Sequence, residues 1–329
     1  MRISAEAFNA EEKFETTERI IESTVDENAS GQRLDIWLSR RFTYLSRNQW
    51  QDAVREHRIL LNGKHTRCSR ILQTGELITF RPERDEPPAT MDYRIVYEDE
   101  FLYVIDKGGD LPCHPAGPFF RHTLWFDMKR RFGQVYIANR LDRETSGLML
   151  VGKTPATATR LAELFQSDAV CKRYHALVYG KFTAPVNACG YLLDIPAGKK
   201  KKKRRFVFTE ETDGEKAETL LTPLEIHSSW SRVEAVPRTG RLHQIRATLC
   251  SLGFPLLGDK LYGPDETIYL RFADGTMTDG DRERLVLPRQ ALHALSLEFT
   301  HPHTGQALNF TAPWPDDLII AGNEPSMVV

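Results

Sequence analysis

The stretch NRLDRETSGLMLVG, residues 139–152, constrains the fold more than any other. A lone carboxylate, Asp142, stands between Arg140 and Arg143. A small polar turn, Thr145-Ser146-Gly147, follows it and leads into an almost wholly apolar run. A short apolar run of this kind reads as a buried strand. An acid at the mouth of a buried strand has to be paired or hydrogen-bonded, because an unpaired buried charge is costly. Arg140 and Arg143 are nearest in sequence, but close neighbours in a strand or turn need not point the same way. GRLHQIRATLCSLG, residues 240–253, offers another partner. It reads as a helix over 241–252, stopped by Gly253. With Leu242 at zero on the wheel, Ile245, Leu249 and Leu252 form the buried stripe, and Arg246 falls about 40° from Leu242. An arginine on that flank either snorkels to water or turns inward, where it needs an anion. Asp142 is the candidate anion, and Arg246 would keep it ionised.

The segments around this stretch are mostly strands. YRIVYEDEFLYVIDK (93–107) reads as a strand, a tight acidic turn and a second strand. CKRYHALVYGKF (171–182) alternates, with Tyr174, Ala176 and Val178 on one side. SRVEAVPRTG (231–240) is a strand ending in a turn, and residues 291–313 form a late hairpin. Residues 154–168 are a helix capped by Thr154, with Pro155 in its first position. Leu161, Leu164 and Phe165 are its apolar stripe. Strands outnumber helices and do not alternate regularly with them. The expected class is α+β, with a mixed, mainly antiparallel central sheet and flanking helices.

Charge divides the chain further. Residues 1–30 carry eight acids against three bases, and residues 31–84 carry eleven bases against five acids. A net charge of −1 therefore conceals basic patches. Residues 1–20 read as an acidic flexible tail. Within 21–84, Leu34, Trp37 and Leu38 fall at helical spacing. Ser46 and Gln49 form a capping-box pattern before Trp50, Ala53, Val54 and His57, which share one face. ILLNGKH is a strand entering an Asn-Gly turn, and GELITF is a closing strand. This small α/β segment resembles the alpha-L RNA-binding module named after a small-subunit ribosomal protein. The resemblance implies phosphate contacts by Arg33, Arg47, Arg55, Arg58, Lys64 and Arg67. Such cations add affinity through counterion release without reading sequence. Residues 85–92 read as a linker, 93–322 as the larger domain and 323–329 as a second tail. The run KKKKKRR, residues 199–205, adds Lys201, Lys202, Lys203 and Arg204 as candidates for gripping phosphates near the target.

Several chemistries lack their motifs. GLMLVGKT (147–154) spells G-x-x-x-x-G-K-T, but its apolar interior reads as strand and not as a phosphate loop, and no G-x-G-x-x-G or G-x-S-x-G occurs. The five cysteines are scattered with no C-x-x-C pair, which suits reduced thiols in the cytoplasm. HPHTG (301–305) reads as a surface turn and not as a metal pair. No apolar run approaches a membrane span, and the N-terminus lacks the apolar core of a secretory signal. We expect no metal, no cofactor and no membrane.

Five segments together resemble the RluA-type pseudouridine synthases. NRLDRETSGLMLVGKT is similar to their central motif, HRLD-x-x-TSG. EDEFLYVIDKGGDLPCHP resembles the opening strand pair and KRYHALVYG the tyrosine strand. TGRLHQIRATLCSLGFPLLGDKLYG resembles the arginine helix with its loop, and LHALSLEFTHPHTG the closing hairpin. They occur in the family's order and, with the basic module, cover nearly the whole chain beyond the acidic tail. The resemblance implies the pseudouridine synthase fold and isomerisation of uridine in RNA without a cofactor. Carried over by position, Asp142 is the catalytic carboxylate. Tyr174 stacks on the target base and assists proton removal, Arg246 pairs with Asp142, and Arg140 fills space that the base vacates.

The chain departs from the family pattern at three places. Asn139 replaces the usual His, Leu242 stands where Thr or Ser is common, and DKGGDLP replaces K-P-x-G, which should loosen a turn. The basic module implies structured RNA, foremost large-subunit ribosomal RNA, with transfer RNA as the alternative. We expect a monomer. Two competing readings are a non-catalytic RNA-binding assembly factor and a base-cleaving glycosylase, which would release free uracil.

Overall fold

Local signals set the first of two units, which ends at Pro87. It contains β1 (Ile21–Thr24), α1 (Leu34–Arg41), α2 (Arg47–Arg55), β2 (Ile59–Leu61), β3 (Lys64–His65) and β4 (Leu77–Phe80). Ser46 caps α2 and Gln49 reaches back to close the capping box. Asn62 and Gly63 both take positive φ, so β2 and β3 form a tight hairpin. The sheet order is β1-β4-β2-β3. Trp50, Leu34, Leu38, Ile59, Leu72 and Ile78 make the core. His57 does not continue the buried face of α2. The helix ends at Arg55, and His57, at φ 59°, turns the chain towards β2 and stays exposed.

This computed structural model describes residues 20–42, 45–81, 86–195, 203–209 and 213–320. Lys201 and Lys202, the tail 323–329 and residues 1–19 of the acidic tail lie outside the described residues.

Among the described residues, the second unit, from Pro88, is built on one eleven-stranded sheet. Its elements are β5 (Tyr93–Glu98), β6 (Leu102–Lys107), α3 (Leu124–Phe132), β7 (Tyr136–Ile137), β8 (Ser146–Gly152), α4 (Pro155–Gln166), β9 (Cys171–Tyr179) and β10 (Val186–Ile195). Then come β11 (Lys203–Val207), β12 (Glu215–Ile226), β13 (Trp230–Pro237), α5 (Gln244–Ser251), α6 (Thr267–Ala273), α7 (Asp279–Leu285), β14 (Leu292–Thr300) and β15 (Ala307–Thr311). The order is β11-β10-β12-β13-β9-β14-β8-β6-β5, with β15 on β14 and β7 on β8. Among the described pairs only β14 on β8 is parallel, so the sheet is mixed and mainly antiparallel.

Strand β8 is buried along its whole length. Met149 and Val151 pack on one face, and Leu148 and Leu150 on the other. Each such leucine contributes roughly 1.5–3 kcal/mol by leaving water. This strand anchors the turn that carries Asp142. The small residues of that turn dock on the start of β14 and on Gln290 just before it. The Gln290 amide donates to Thr145 Oγ1 at 2.5 Å, and Ser146 Oγ lies 2.9 Å from His293 Nδ1. Gly147, at φ 113°, lies so close to Ala294 that a Cβ would stand 2.3 Å from its carbonyl oxygen. A larger residue at any of the three would push the turn off β14.

Two expectations need correction. His301 is buried, because its ring caps the turn it belongs to. Its Nδ1 accepts from the backbone N–H groups of His303 and Thr304, and its Nε2 meets Asp99 at 2.9 Å. The DKGGDLP turn is tight and not loosened. A Cβ on Gly109 would strike the Arg289 guanidinium, and one on Gly108 would strike Asp92.

Candidate active site

Asp142 sits at the entrance to β8, where its carbonyl accepts the Thr145 N–H at 3.1 Å. Its side chain keeps a quarter of its surface exposed. Arg246 Nη1 donates to Asp142 Oδ2 at 2.6 Å, across 104 residues of sequence. The same guanidinium is gripped from behind. Nε and Nη2 donate to the two oxygens of Asp259 at 2.7 and 2.8 Å. Asp259 is fully buried, and its Oδ1 also accepts the Leu261 and Tyr262 N–H groups. A bidentate pair of this kind fixes orientation as well as charge. Arg246 is thereby held rigid, with Nη1 directed at Asp142.

Burial alone would raise the Asp142 carboxyl. The Arg246 charge, then His243, then the hydrogen bond from Arg246 outweigh it and hold the group at about 2. Burial pulls the Arg246 guanidinium down, but Asp259 and Asp142 together raise it. Asp142 is therefore a carboxylate throughout the neutral range, partly open to solvent and set in one orientation.

The inward turn of Arg246 was anticipated from sequence, but its reference residue was wrong. Helix α5 begins at Gln244, so Leu242 lies outside it and is exposed. His243 precedes the helix in the left-handed region at φ 56°. Gln244 fixes this entry. Its amide donates to Glu218 O and Thr219 Oγ1, and its carbonyl oxygen accepts from Thr239 Oγ1 and the Arg241 N–H. His243, Gln244, Asp259 and Tyr262 went unnoticed as site residues. The dense polar spelling R-L-H-Q-I-R and the acid in G-D-K-L-Y-G were the available signals.

Tyr174 lies on β9 and packs at the boundary of two core clusters. Burial, with the Asp142 charge nearby, pushes its phenol up to about 12. Arg140 is exposed beside the Asp142 loop. It adds to burial in lowering the His114 imidazole to about 4. Arg143 turns away to pair with Asp110 and covers the Phe119 ring at 4.6 Å. Asn139 makes a structural contact, its Oδ1 accepting the Leu150 N–H at 2.8 Å. Lys107 braces the turn from behind. Its Nζ donates to Gly108 O and Arg143 O, and burial lowers it to about 8.

The basic candidates divide by partner. Arg33 and Arg47 both donate to buried Asp35, Arg55 pairs with Asp52 and Arg58 with Glu56. Lys64 and Arg67 line a concave surface of about 520 Å³ with His65, Ser69 and Arg70. Lys203 pairs with Glu266. Arg204 corrects the expectation of a phosphate grip. On alternating β11 it points inward, is buried, and is neutralised by Asp194 and Glu215.

Relatives share both the sequence and the fold. Residues 101–251 match the family described as RNA pseudouridylate synthase. The chain is 34% identical over 307 residues to ribosomal large subunit pseudouridine synthase D of Vibrio cholerae, covering 90% of this chain and 92% of that one. It is 32% identical to the uncharacterized RNA pseudouridine synthase YlyB of Bacillus subtilis, covering 91% and 95%. The chain belongs to the RluA-type RNA pseudouridine synthases. Human RNA pseudouridylate synthase domain containing 1 shares the pseudouridine synthase fold, with a TM-score of 0.54 at 24% identity over 70% of this chain and 86% of that one. As a pseudouridine synthase the chain isomerises uridine to pseudouridine in RNA. No described helix is long and apolar enough to cross a membrane.

Proposed function

We propose that Asp142 is the catalytic carboxylate of this synthase and that its substrate is large-subunit ribosomal RNA. The observation that carries the first part is the contact of Arg246 with Asp142, backed by buried Asp259. It leaves an ionised, oriented and accessible carboxylate with one oxygen free of any arginine. The second part rests on relatives from Vibrio cholerae and Nitrosomonas europaea that are named for the ribosomal large subunit. The reaction takes place in the cytoplasm, and the chain acts as a monomer.

The target uridine must leave its stack before its glycosidic bond can be reached. The C1′–N1 bond then breaks, the uracil turns, and C1′ bonds to C5. The C5 proton is lost and N1 gains one, so the atoms balance without a cofactor. A carboxylate can serve this sequence as nucleophile or base. Tyr174 keeps its proton at neutral pH, which favours covering the base over removing the C5 proton. Such stacking contributes roughly 1–3 kcal/mol per base. Arg140, exposed beside the acid, is placed to fill the gap that the base leaves. In the basic module, Lys64 and Arg67 are the preferred phosphate contacts, since Arg33, Arg47, Arg55 and Arg58 are engaged by carboxylates.

The test is to map pseudouridines in cellular RNA with the protein, without it, and with Asp142→Asn. Loss of the same sites from large-subunit RNA in the last two cases supports both parts. Loss from transfer RNA alone would move the substrate. Retention with Asp142→Asn would remove the catalytic assignment.

A further inference from the structure

The hydrogen-bond chain behind Asp142 assigns a second device to this site. Arg246 donates to Oδ2, and Gln290 also hydrogen-bonds the Asp142 side chain; Oδ1 is the oxygen that takes no arginine. His243 Nε2 stands 3.8 Å from that Oδ1. The other ring nitrogen, Nδ1, lies 3.0 Å from Tyr262 Oη. Tyr262 Oη in turn accepts the backbone N–H of Arg204 at 2.9 Å. That donor leaves the phenol hydrogen for His243, because a hydroxyl has one hydrogen and two lone pairs. A neutral His243 that accepts it at Nδ1 must carry its own hydrogen on Nε2. A charged His243 carries hydrogen on both nitrogens. In either state an N–H faces Oδ1, whereas the opposite tautomer would set a lone pair against a carboxylate.

The backbone supports the same reading. His243 holds φ 56°, ψ 20°, a left-handed conformation that non-glycine residues rarely adopt. Such strain persists where the surroundings enforce it, and it often accompanies function. Gln244 enforces it through four hydrogen bonds. The ring of Tyr262 also stands edge-on to His243 and lies under the Arg246 guanidinium at 5.0 Å. One tyrosine thus braces both groups that face Asp142.

We propose that His243 is a positioning residue for the reaction: its Nε2–H, fixed by Tyr262, orients the reacting oxygen of Asp142. The proposal rests on Asp142 being the catalytic carboxylate. At 3.8 Å the contact is longer than a hydrogen bond and closes when the nucleotide seats the carboxylate.

Two substitutions separate this role from folding. His243→Asn suits the left-handed backbone, where asparagine is enriched, but its amide is too short to reach Oδ1. His243→Gln restores reach, placing its amide nitrogen near the position of Nε2. Single-turnover isomerisation and RNA affinity are measured for both, together with Tyr262→Phe and Asp142→Asn. We expect His243→Asn to lower the rate by roughly tenfold to a hundredfold with RNA affinity nearly unchanged. His243→Gln should recover most of that loss. Nitrogen-15 spectra of the histidine ring should show Nε2–H in the wild type and a growing Nδ1–H share in Tyr262→Phe. Wild-type rates in His243→Asn, or equal losses in Asn and Gln, would overturn the proposal. If Asp142→Asn is inactive in the same assay, only the role of His243 falls. If it turns over, the catalytic assignment falls with it.

Discussion

Each unit of this protein contains an aspartate bound by arginine, and the two could hardly be used more differently. In the first unit Asp35 has no exposed surface. Arg33, Arg47 and Gln51 all donate to it, and together they occupy both oxygens. In the second unit Asp142 keeps a quarter of its side chain exposed and takes one arginine on one oxygen. Both carboxyls are held below their ordinary value, Asp35 mainly by hydrogen bonds from Arg33, Arg47 and Gln51 against burial, Asp142 by Arg246 and His243 against burial. A depressed carboxyl is thus no mark of catalysis by itself. What sets Asp142 apart is its exposed surface, an oxygen that takes no arginine, and an arginine anchored from behind by a third group.

The sharpest way to break this comparison is to remove that anchored arginine. Arg246→Met leaves Asp259 buried and unpaired, which costs about 3–5 kcal/mol. We expect a large fall in the melting temperature of the second unit and loss of isomerisation. In carbon-13 titrations Asp142 should move from about 2 towards an ordinary carboxylate value. A stable, active variant would show that the anchor is dispensable.

Asp35→Ala comes next. It strips buried hydrogen bonds from the first unit and should destabilise it by roughly 1–3 kcal/mol. RNA affinity should weaken, while the rate at saturating RNA stays near wild type. Because the Asp35 carboxyl is depressed, its stabilisation is present above the ordinary value near 4 and fades as pH falls below it. Acid melting of the first unit, compared with that of Asp35→Ala, checks the sign. A drop in saturated rate would contradict the division of labour between the two aspartates.

Asn139→Ala tests a subtler contact. It leaves the Leu150 N–H on β8 without its partner and should cost about 1–3 kcal/mol by thermal unfolding, with little change in RNA affinity. The smallest effects belong to the surface cations. Lys64→Ala and Arg67→Ala should each weaken RNA binding severalfold and reduce its salt slope by about 1. Arg55→Ala, whose charge Asp52 already offsets, should do less.

Much of this was legible in the sequence, for reasons that differ by element. Strand β8 announced itself because its burial on both faces leaves no polar alternation. Helix α2 was marked by its capping box, and the β2–β3 hairpin by Asn62-Gly63. Arg246 was traced to Asp142 because an arginine on an apolar flank needs an anion. What escaped were contacts without a periodic trace. Asp259 lies in a loop, and only the folded chain brings it to Arg246. His243 was counted within a regular helix, since a left-handed residue at a helix start has no signature apart from glycine or asparagine. Arg204 was read as a free cation because charge runs carry no sign of which residue faces inward. The same ambiguity hid Asp35, one acid in a basic stretch.

The most direct test of the account compares single-turnover isomerisation by the wild type and by Asp142→Asn on one RNA, with affinity measured in parallel. RNA binding should stay within about twofold of wild type while the rate falls by roughly 10⁴-fold, the scale seen when an essential catalytic group is removed. An Asp142→Asn protein that binds RNA and still forms pseudouridine at a comparable rate would contradict it.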